Sequence, residues 1–509
     1  MTYQLSRFAL VGIMFLVLCS RSKPIIKGEL LIKNGIIHTG GGEEPFSADV
    51  IIENGIIKWI GKSDEIKPDC VQEIDAGGNI VSPGFIDIHA HGNPLKTPDF
   101  ENFLAMGVTT IALGMDGSSE MTTGLELWMD KVDSIGPGVN ILPFIGHGTL
   151  RRESGIGNSV EVSDIQLNTM AKLLNDAFEL GVWGLSFGLE YLPGFYADSV
   201  ELSLLAQEVG NHNALITSHI RNEDDDAIES SLNEMFALSE YCNVNISHLK
   251  VVYAKGVERA KEIMEIFDNP VSKNNRITAD LYPYTASYTG IGIVFPEWAK
   301  RPKTYGQIKQ SRREELLTHL RNRVNSRNGP EATLFGSAPY KGKTLKDLSD
   351  DYNLPFEVVL ADVIGPYGGS AAFFVMDEEL QKELVKHSAV MIASDGSPTM
   401  FHPRGYGTFS KVIEDFAHQE GTLDLSNAVY KMSGLPAQTV GLNDRGMIKE
   451  GMKADLLIFD PATIKSNATF DDPHQKSEGM KTVMIGGEVV YKEGKVIRRA
   501  GEVLRKKNI

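Results

Sequence analysis

Gly84-Phe85-Ile86-Asp87-Ile88-His89-Ala90-His91 is an apolar run that stops on two histidines one residue apart. In an extended strand, residues two apart project from the same side, so His89 and His91 can face a single cation. Alone the pair says little, because two histidines at this spacing arise often by chance. Recurrence gives it weight. Seven more short apolar segments follow, at residues 108–114, 139–145, 181–186, 214–217, 244–247, 277–281 and 390–394, with mostly helical sequence between them. Alternating strand and helix argues for parallel βα units. Eight such units predict an α/β fold of the TIM-like (β/α)8 barrel type, with insertions. A doubly wound open sheet is the alternative that strand counting leaves standing.

Polar residues gather where these segments end. The second ends Gly114-Met115-Asp116, the fifth Thr217-Ser218-His219, the sixth Ser247-His248-Leu249-Lys250 and the eighth Ser394-Asp395-Gly396. In a βα barrel the C-terminal strand ends converge on one face. His89, His91, Asp116, His219, His248 and Asp395 are therefore predicted to meet. Four imidazoles and two carboxylates so placed fit a metal centre better than packing, because buried ionisable groups need a partner or a ligand. Nitrogen and oxygen donors suit zinc, as one or two divalent ions, with nickel, cobalt, manganese and iron as competitors.

Working outward, the two ends of the chain share a different texture. Asn34-Gly35 and Asn54-Gly55 lie between β-branched residues, and Asn-Gly is a strong hairpin signal because both positions tolerate positive φ. Residues 454–460 read as a strand, and residues 483–490 as a hairpin around Gly486-Gly487. A small β-sandwich domain built from both termini is expected, over residues 25–82 and 446–509, around a catalytic barrel at 83–445. Charged, helix-like sequence at 289–345 reads as an insertion able to cover the site.

Bulk composition narrows the function. With 509 residues, 42% hydrophobic, the chain can bury a large core. Its net charge of -17 repels phosphates, so no nucleic-acid partner is expected. Cys19, Cys70 and Cys242 make neither a disulfide framework nor a zinc finger. Arg7 precedes an apolar run, residues 8–18, that is short for a membrane span and suited to an export signal. Leu16-Val17-Leu18-Cys19 is similar to a bacterial lipoprotein cleavage box, departing from it at Leu18. Residues 1–24 are therefore read as a leader. The expected location is the periplasm, or the membrane through a lipidated Cys19. Nothing in the sequence fixes an oligomeric state.

Ser82-Pro83-Gly84-Phe85-Ile86-Asp87-Ile88-His89-Ala90-His91 looks like the first-strand metal motif of the amidohydrolase superfamily. The stretches 184–194 (Gly-Leu-Ser-Phe-Gly-Leu-Glu-Tyr-Leu-Pro-Gly), 218–223 (Ser-His-Ile-Arg-Asn-Glu), 247–250 (Ser-His-Leu-Lys), 280–284 (Asp-Leu-Tyr-Pro-Tyr), 402–407 (His-Pro-Arg-Gly-Tyr-Gly) and 444–455 follow in order. Together they resemble the N-acyl-D-amino-acid deacylases (D-aminoacylases). The resemblance implies a metal-dependent hydrolase that cleaves small N-acyl-D-amino acids to a carboxylate and a D-amino acid. It assigns His89, His91 and Asp395 to one metal position and His219 and His248 to the other. Asp116 stands where that family usually carries a metal-binding cysteine. Asp395 would be the catalytic proton carrier, and Tyr191 an oxyanion donor. Lys250 and Tyr282 would hold the substrate carboxylate, with Arg404 and Arg221 as further cations and His147 as a further substrate contact. Tyr288 is bulkier than the residue such relatives tend to carry.

Two alternatives accompany this reading. A cyclic-amide hydrolase of the D-hydantoinase or dihydropyrimidinase kind shares the four histidines. Those enzymes carry a carboxylated lysine after the fourth strand, and none stands there. A catalytically inactive barrel acting as a binding protein is the remote alternative; all six candidate ligand positions hold ligand-capable residues.

Overall fold

The computed structural model describes residues 23–269, 275–300 and 304–507. Cys19 and the expected leader lie outside these, apart from its last two positions. Among the described residues no helix is long and apolar enough to cross a membrane.

Five strands come first: β1 (Ile25–Ile37), β2 (Phe46–Glu53), β3 (Ile56–Gly61), β4 (Lys67–Asp75) and β5 (Ile80–Pro83). Asn54-Gly55 makes the expected two-residue hairpin between β2 and β3, both residues having positive φ, 53° and 71°. Asn34-Gly35 does not. It is a bulge inside β1, where the register with β2 shifts between Ile32 and Gly35. Asp49 and Asp75 stabilise it by accepting from the Asn34 backbone N–H and side-chain amide.

Gly84 carries the chain from this sheet into the barrel. The barrel strands are β6 (Phe85–Asp87), β7 (Val108–Leu113), β8 (Asn140–Gly146), β9 (Gly184–Gly188), β10 (Leu215–His219), β11 (Asn243–Ile246) and β12 (Ile277–Leu281). The next three, β13 (Ala286–Gly290), β14 (Thr333–Phe335) and β15 (Ser370–Phe374), belong to the insertion; β16 (Val390–Ile392) completes the barrel. The eight barrel strands pair in chain order, all parallel. β16 meets β6 just past their ends: His91 N–H donates to Gly396 O at 2.7 Å, and Asp395 N–H to His89 O at 2.8 Å. The open-sheet alternative is thereby excluded. Ile86, Ile88, Ala112, Leu142, Phe144, Leu215 and Met391 fill the barrel, each fully buried large side chain contributing about 1.5–3 kcal/mol.

The insertion is longer than its charged stretch suggests. β13, β14 and β15 form an antiparallel sheet with a core of its own, including Ile291, Leu316, Phe335 and Phe373. Residues 286–300 and 304–374 therefore form one cover, to which the described part of 289–345 belongs.

The last strands are β17 (Leu456–Phe459), β18 (Met480–Ile485), β19 (Glu488–Lys492) and β20 (Lys495–Val496). β17 pairs with β5, joining both termini in one nine-stranded sheet around Ile32, Val50, Ile52, Leu456 and Met484. Beyond β20 the chain leaves that domain, contrary to the expected boundary. Gly501 N–H donates to Pro137 O, Ile141 N–H to Glu502 O and Leu504 N–H to Ile141 O, at 2.8–2.9 Å. The tail thus adds to the N-terminal end of the barrel.

Candidate metal centre

All six side chains picked out at strand ends meet at the C-terminal mouth of the barrel. His89 Nε2 lies 3.4 Å from Asp116 Oδ1 and 3.7 Å from Asp395 Oδ1. His91 Nε2 lies 3.1 Å from Asp395 Oδ1 and 3.5 Å from Asp116 Oδ2. Donors about 2.1 Å from a tetrahedral cation stand about 3.4 Å apart, so these spacings suit a metal. His219 Nδ1 is 2.9 Å from His248 Nε2, which is 3.7 Å from Asp116 Oδ1. Asp116 therefore belongs to both groups, one with His89, His91 and Asp395 and one with His219 and His248.

Local backbone brings this about. Asp116, His248 and Asp395 all have positive φ, 53°, 37° and 48°, a conformation that costs a non-glycine residue of order 1–3 kcal/mol and clusters at functional sites. Each turns the chain sharply as its strand ends. Asp280, buried at the end of β12, holds the His248 turn by accepting its backbone N–H at 2.7 Å. Asp87 accepts the backbone N–H groups of His89 and Ser394, tying β6 to β16. Burial pushes its carboxyl up to about 7.

The groups are also left electrically incomplete. Both ring nitrogens of His89 and Oδ1 of Asp116 are buried without a hydrogen-bond partner, which is costly unless a ligand completes them. Burial disfavours charge on His91, yet Asp116 and Asp395 outweigh it and push its pKa up to about 10. Burial raises Asp395 in turn, but Arg404 and the histidines hold it well below the usual carboxylate range. The donor set thus fits a divalent cation.

Two glutamates orient the histidines from outside. Glu190 Oε2 lies 2.9 Å from His219 Nε2, and Glu223 Oε1 lies 3.2 Å from His248 Nδ1. If His219 Nδ1 faces the cation, its Nε2 carries a proton for Glu190; His248 Nδ1 lies between Glu223 and Lys250 Nζ, the latter at 2.9 Å. Glu223 also accepts from Lys250 Nζ at 2.7 Å. Both stood inside quoted motifs but drew no role; the place of Glu223 four residues after His219 was the available signal.

The adjoining cavity, about 200 Å³, is lined by Tyr191, Lys250, Arg404 and, from the cover, Ser287, Tyr288, Thr289 and Ile293. Arg404 Nη1 lies 2.8 Å from Asp395 Oδ2, and its guanidinium sits 4.8 Å over the Tyr282 ring. The Tyr282 hydroxyl is buried without a partner. Tyr191 is hydrogen-bonded to Thr289 across the cavity, at 3.2 Å.

Two predicted substrate contacts fall elsewhere. Arg221 grips Glu234 at 2.8 Å and donates to the carbonyls of Phe195 and Ala197, so its guanidinium ties the loop after β9 to the helix Ile228–Leu238. His147 is buried against Glu201, at 2.6 Å, with Arg151 beside the pair. Neither lines the cavity.

Comparison with known proteins adds a second line. A sequence model described as the amidohydrolase family matches residues 359–491. The N-acyl-D-glutamate deacylase of Alcaligenes xylosoxydans xylosoxydans is 30% identical over 506 residues, covering 94% of this chain and 97% of that protein. The crystal structure of N-acyl-D-glutamate deacylase from Bordetella bronchiseptica, complexed with zinc and a phosphonate mimic of the tetrahedral intermediate, superposes with a TM-score of 0.81. It is 27% identical and covers 94% of this chain and 100% of that one. An L-hydantoinase from Arthrobacter aurescens shares the fold, with a TM-score of 0.59 at 16% identity over 94% of this chain and 100% of that one.

Proposed function

The chain belongs to the N-acyl-D-amino-acid deacylase family of amidohydrolases, and from that premise we propose that it hydrolyses N-acyl-D-amino acids to a carboxylate and a free D-amino acid. The observation that carries this reading is the meeting of His89, His91, Asp116, His219, His248 and Asp395 beside Lys250 and Arg404 in one cavity. The six side chains would hold one or two divalent ions, zinc being the best match to imidazole and carboxylate donors. When bound, the metal supplies Lewis acidity, making water ionisable near neutral pH and polarising a carbonyl.

The protein's own groups do the rest. Lys250 and Arg404 form a cationic pole for the substrate carboxylate, Tyr282 lying beneath the guanidinium behind the cavity wall, and the two cations keep their charge through Glu223 and Asp395. Asp395 takes a proton from the attacking water as the new C–O bond forms and then delivers it to the departing nitrogen as the C–N bond breaks. Tyr191 donates to the carbonyl oxygen as it gains charge. The cover, through Tyr288 and Thr289, narrows access to water.

A panel of paired D and L N-acyl amino acids, assayed on metal-loaded wild type and Asp395→Ala, tests the proposal. Release of free D-amino acid by wild type alone is expected; no release from any acyl substrate would refute it. We further propose an envelope location, supported by the apolar run at 8–18 and by Cys19. Cell fractionation of wild type and Cys19→Ala tests it: an anchored chain becomes soluble in the variant, and a chain found in the cytosol ends the idea.

A further inference from the structure

His402 is wholly buried and lies behind the metal cavity without lining it. Tyr282, Tyr284, Tyr288 and Phe470 pack around its ring at steep angles, with centroids 4.9–6.3 Å away. Both ring nitrogens are used. Nε2 lies 3.0 Å from Ala286 O, and Nδ1 accepts the Arg404 backbone N–H at 3.1 Å. A carbonyl only accepts and an amide N–H only donates, so the proton sits on Nε2 and the ring is neutral. Burial, with the Arg404 guanidinium close by, holds it in that form, its pKa well below the usual histidine range. We propose that His402 is a positioning residue that locks the cover to Arg404, so that the strand narrowing the cavity and the cation receiving the substrate carboxylate are set as one unit. Its kinetic consequence rests on the amide-hydrolase reading; the lock itself does not.

Each partner of the imidazole leads to the cavity. Ala286 is the first residue of β13, and the next three, Ser287, Tyr288 and Thr289, line the cavity. Ala286 also pairs with Phe374 of β15, so a grip on it is a grip on the cover's sheet. Arg404 is the first residue of the helix Arg404–Lys411, where a backbone N–H finds no acceptor within the helix. His402 supplies that acceptor. β13 reaches the far end of Arg404 as well: Nη2 donates to Tyr288 O at 3.4 Å, while Nη1 lies 2.8 Å from Asp395 Oδ2. Arg404 is thus tied to the cover strand twice, at its backbone through His402 and at its guanidinium directly. A ring that only filled space among four aromatic side chains would use neither nitrogen. This one spends both on joining two elements far apart in the chain, and a rigid ring transmits a shift of one to the other.

His402→Phe tests this, because it keeps an aromatic ring among its neighbours and removes both hydrogen bonds. Hydrogen exchange read by mass spectrometry on the purified full chain needs no turnover. Peptides covering β13 and the helix Arg404–Lys411 should both exchange about 3–10-fold faster, the effect of losing one neutral hydrogen bond each. The helix Asp164–Glu179, between β8 and β9 in the chain, should keep its wild-type rate. In kinetics, KM for N-acetyl-D-amino acids should rise about tenfold or more, the effect of loosening a hydrogen bond to a charged group, with a smaller change in kcat. Exchange unchanged at β13 or at the helix overturns the proposal. So does faster exchange throughout the protein, which would make His402 a support of the core alone, or a fall in kcat with KM unmoved. Should His402→Phe fail to fold, His402→Asn, which keeps an acceptor near the Nδ1 position, tests the cover bond by itself: β13 should exchange faster, and an unchanged rate there sinks the lock. If the two segments loosen together while wild type cleaves no acyl amino acid, the lock stands and only the hydrolase reading falls.

Discussion

The two ends of the barrel bury polar groups in opposite ways. At the N-terminal end Arg445 Nη1 meets Asp455 Oδ2 at 2.7 Å; the same carboxylate accepts from Asn140 at 3.2 Å and from Gly486 N–H at 2.7 Å. That cluster is complete, and it fastens barrel, tail and β domain. At the C-terminal mouth His89 and Asp116 are left with unpaired atoms, and three ligand residues sit in a strained backbone. Buried polarity that holds a fold together is satisfied from within the chain. Buried polarity meant for a ligand is left unfinished, and the rest of the molecule must carry the cost.

That contrast can be broken by substitution. Asp395→Ala should lower kcat/KM by about 10²–10⁴-fold, the range of a lost proton carrier, while circular dichroism keeps the wild-type fold. A loss of fold instead would mean that the mouth, too, is structural. Arg445→Ala should do the reverse and cost about 3–5 kcal/mol in denaturant unfolding, because it strands a buried carboxylate. Metal content per folded chain, read by elemental analysis, should stay at the wild-type value. Glu223→Gln tests the border between the two kinds of polarity: it should weaken metal binding by about 10–100-fold in chelator competition, with little change in the melting of the metal-free protein. A drop in stability with no change in metal affinity would reassign Glu223 to the fold. Arg221→Ala should be mildest, costing about 1 kcal/mol through a part-exposed pair. KM should not move; a large rise would restore Arg221 as a substrate contact.

Legibility in the sequence followed the same division. The eight strands and the six ligand candidates could be read because each strand must end, and a βα barrel gathers those ends. Asp280 obeys the same rule at the end of β12 and was available to it. Glu190 was not, since its role depends on which imidazole nitrogen faces outward, and only side-chain geometry shows that; Glu223 offered only its place four residues after His219. Arg221 misled because two residues after a ligand is near in sequence, but past the strand end the chain turns and aims the guanidinium at Glu234. Asn34-Gly35 misled for a related reason: the dipeptide signals positive φ, and a bulge inside β1 uses that as well as a hairpin does. The cover exceeded its charged stretch because β13 and β15, its first and last strands, are uncharged.

The pairing of β5 with β17, and of residues 501–506 with the barrel, bears on how the protein is made. β5 has β17 as a neighbour nearly four hundred residues later in the chain. Until residues 456–506 have been made, β5 lacks one of its partners and the barrel lacks a bordering segment. The barrel and the β domain therefore cannot reach their final state before that stretch has been translated. A chain without residues 501–507 would leave Trp183 and the start of β8 without the backbone that caps them.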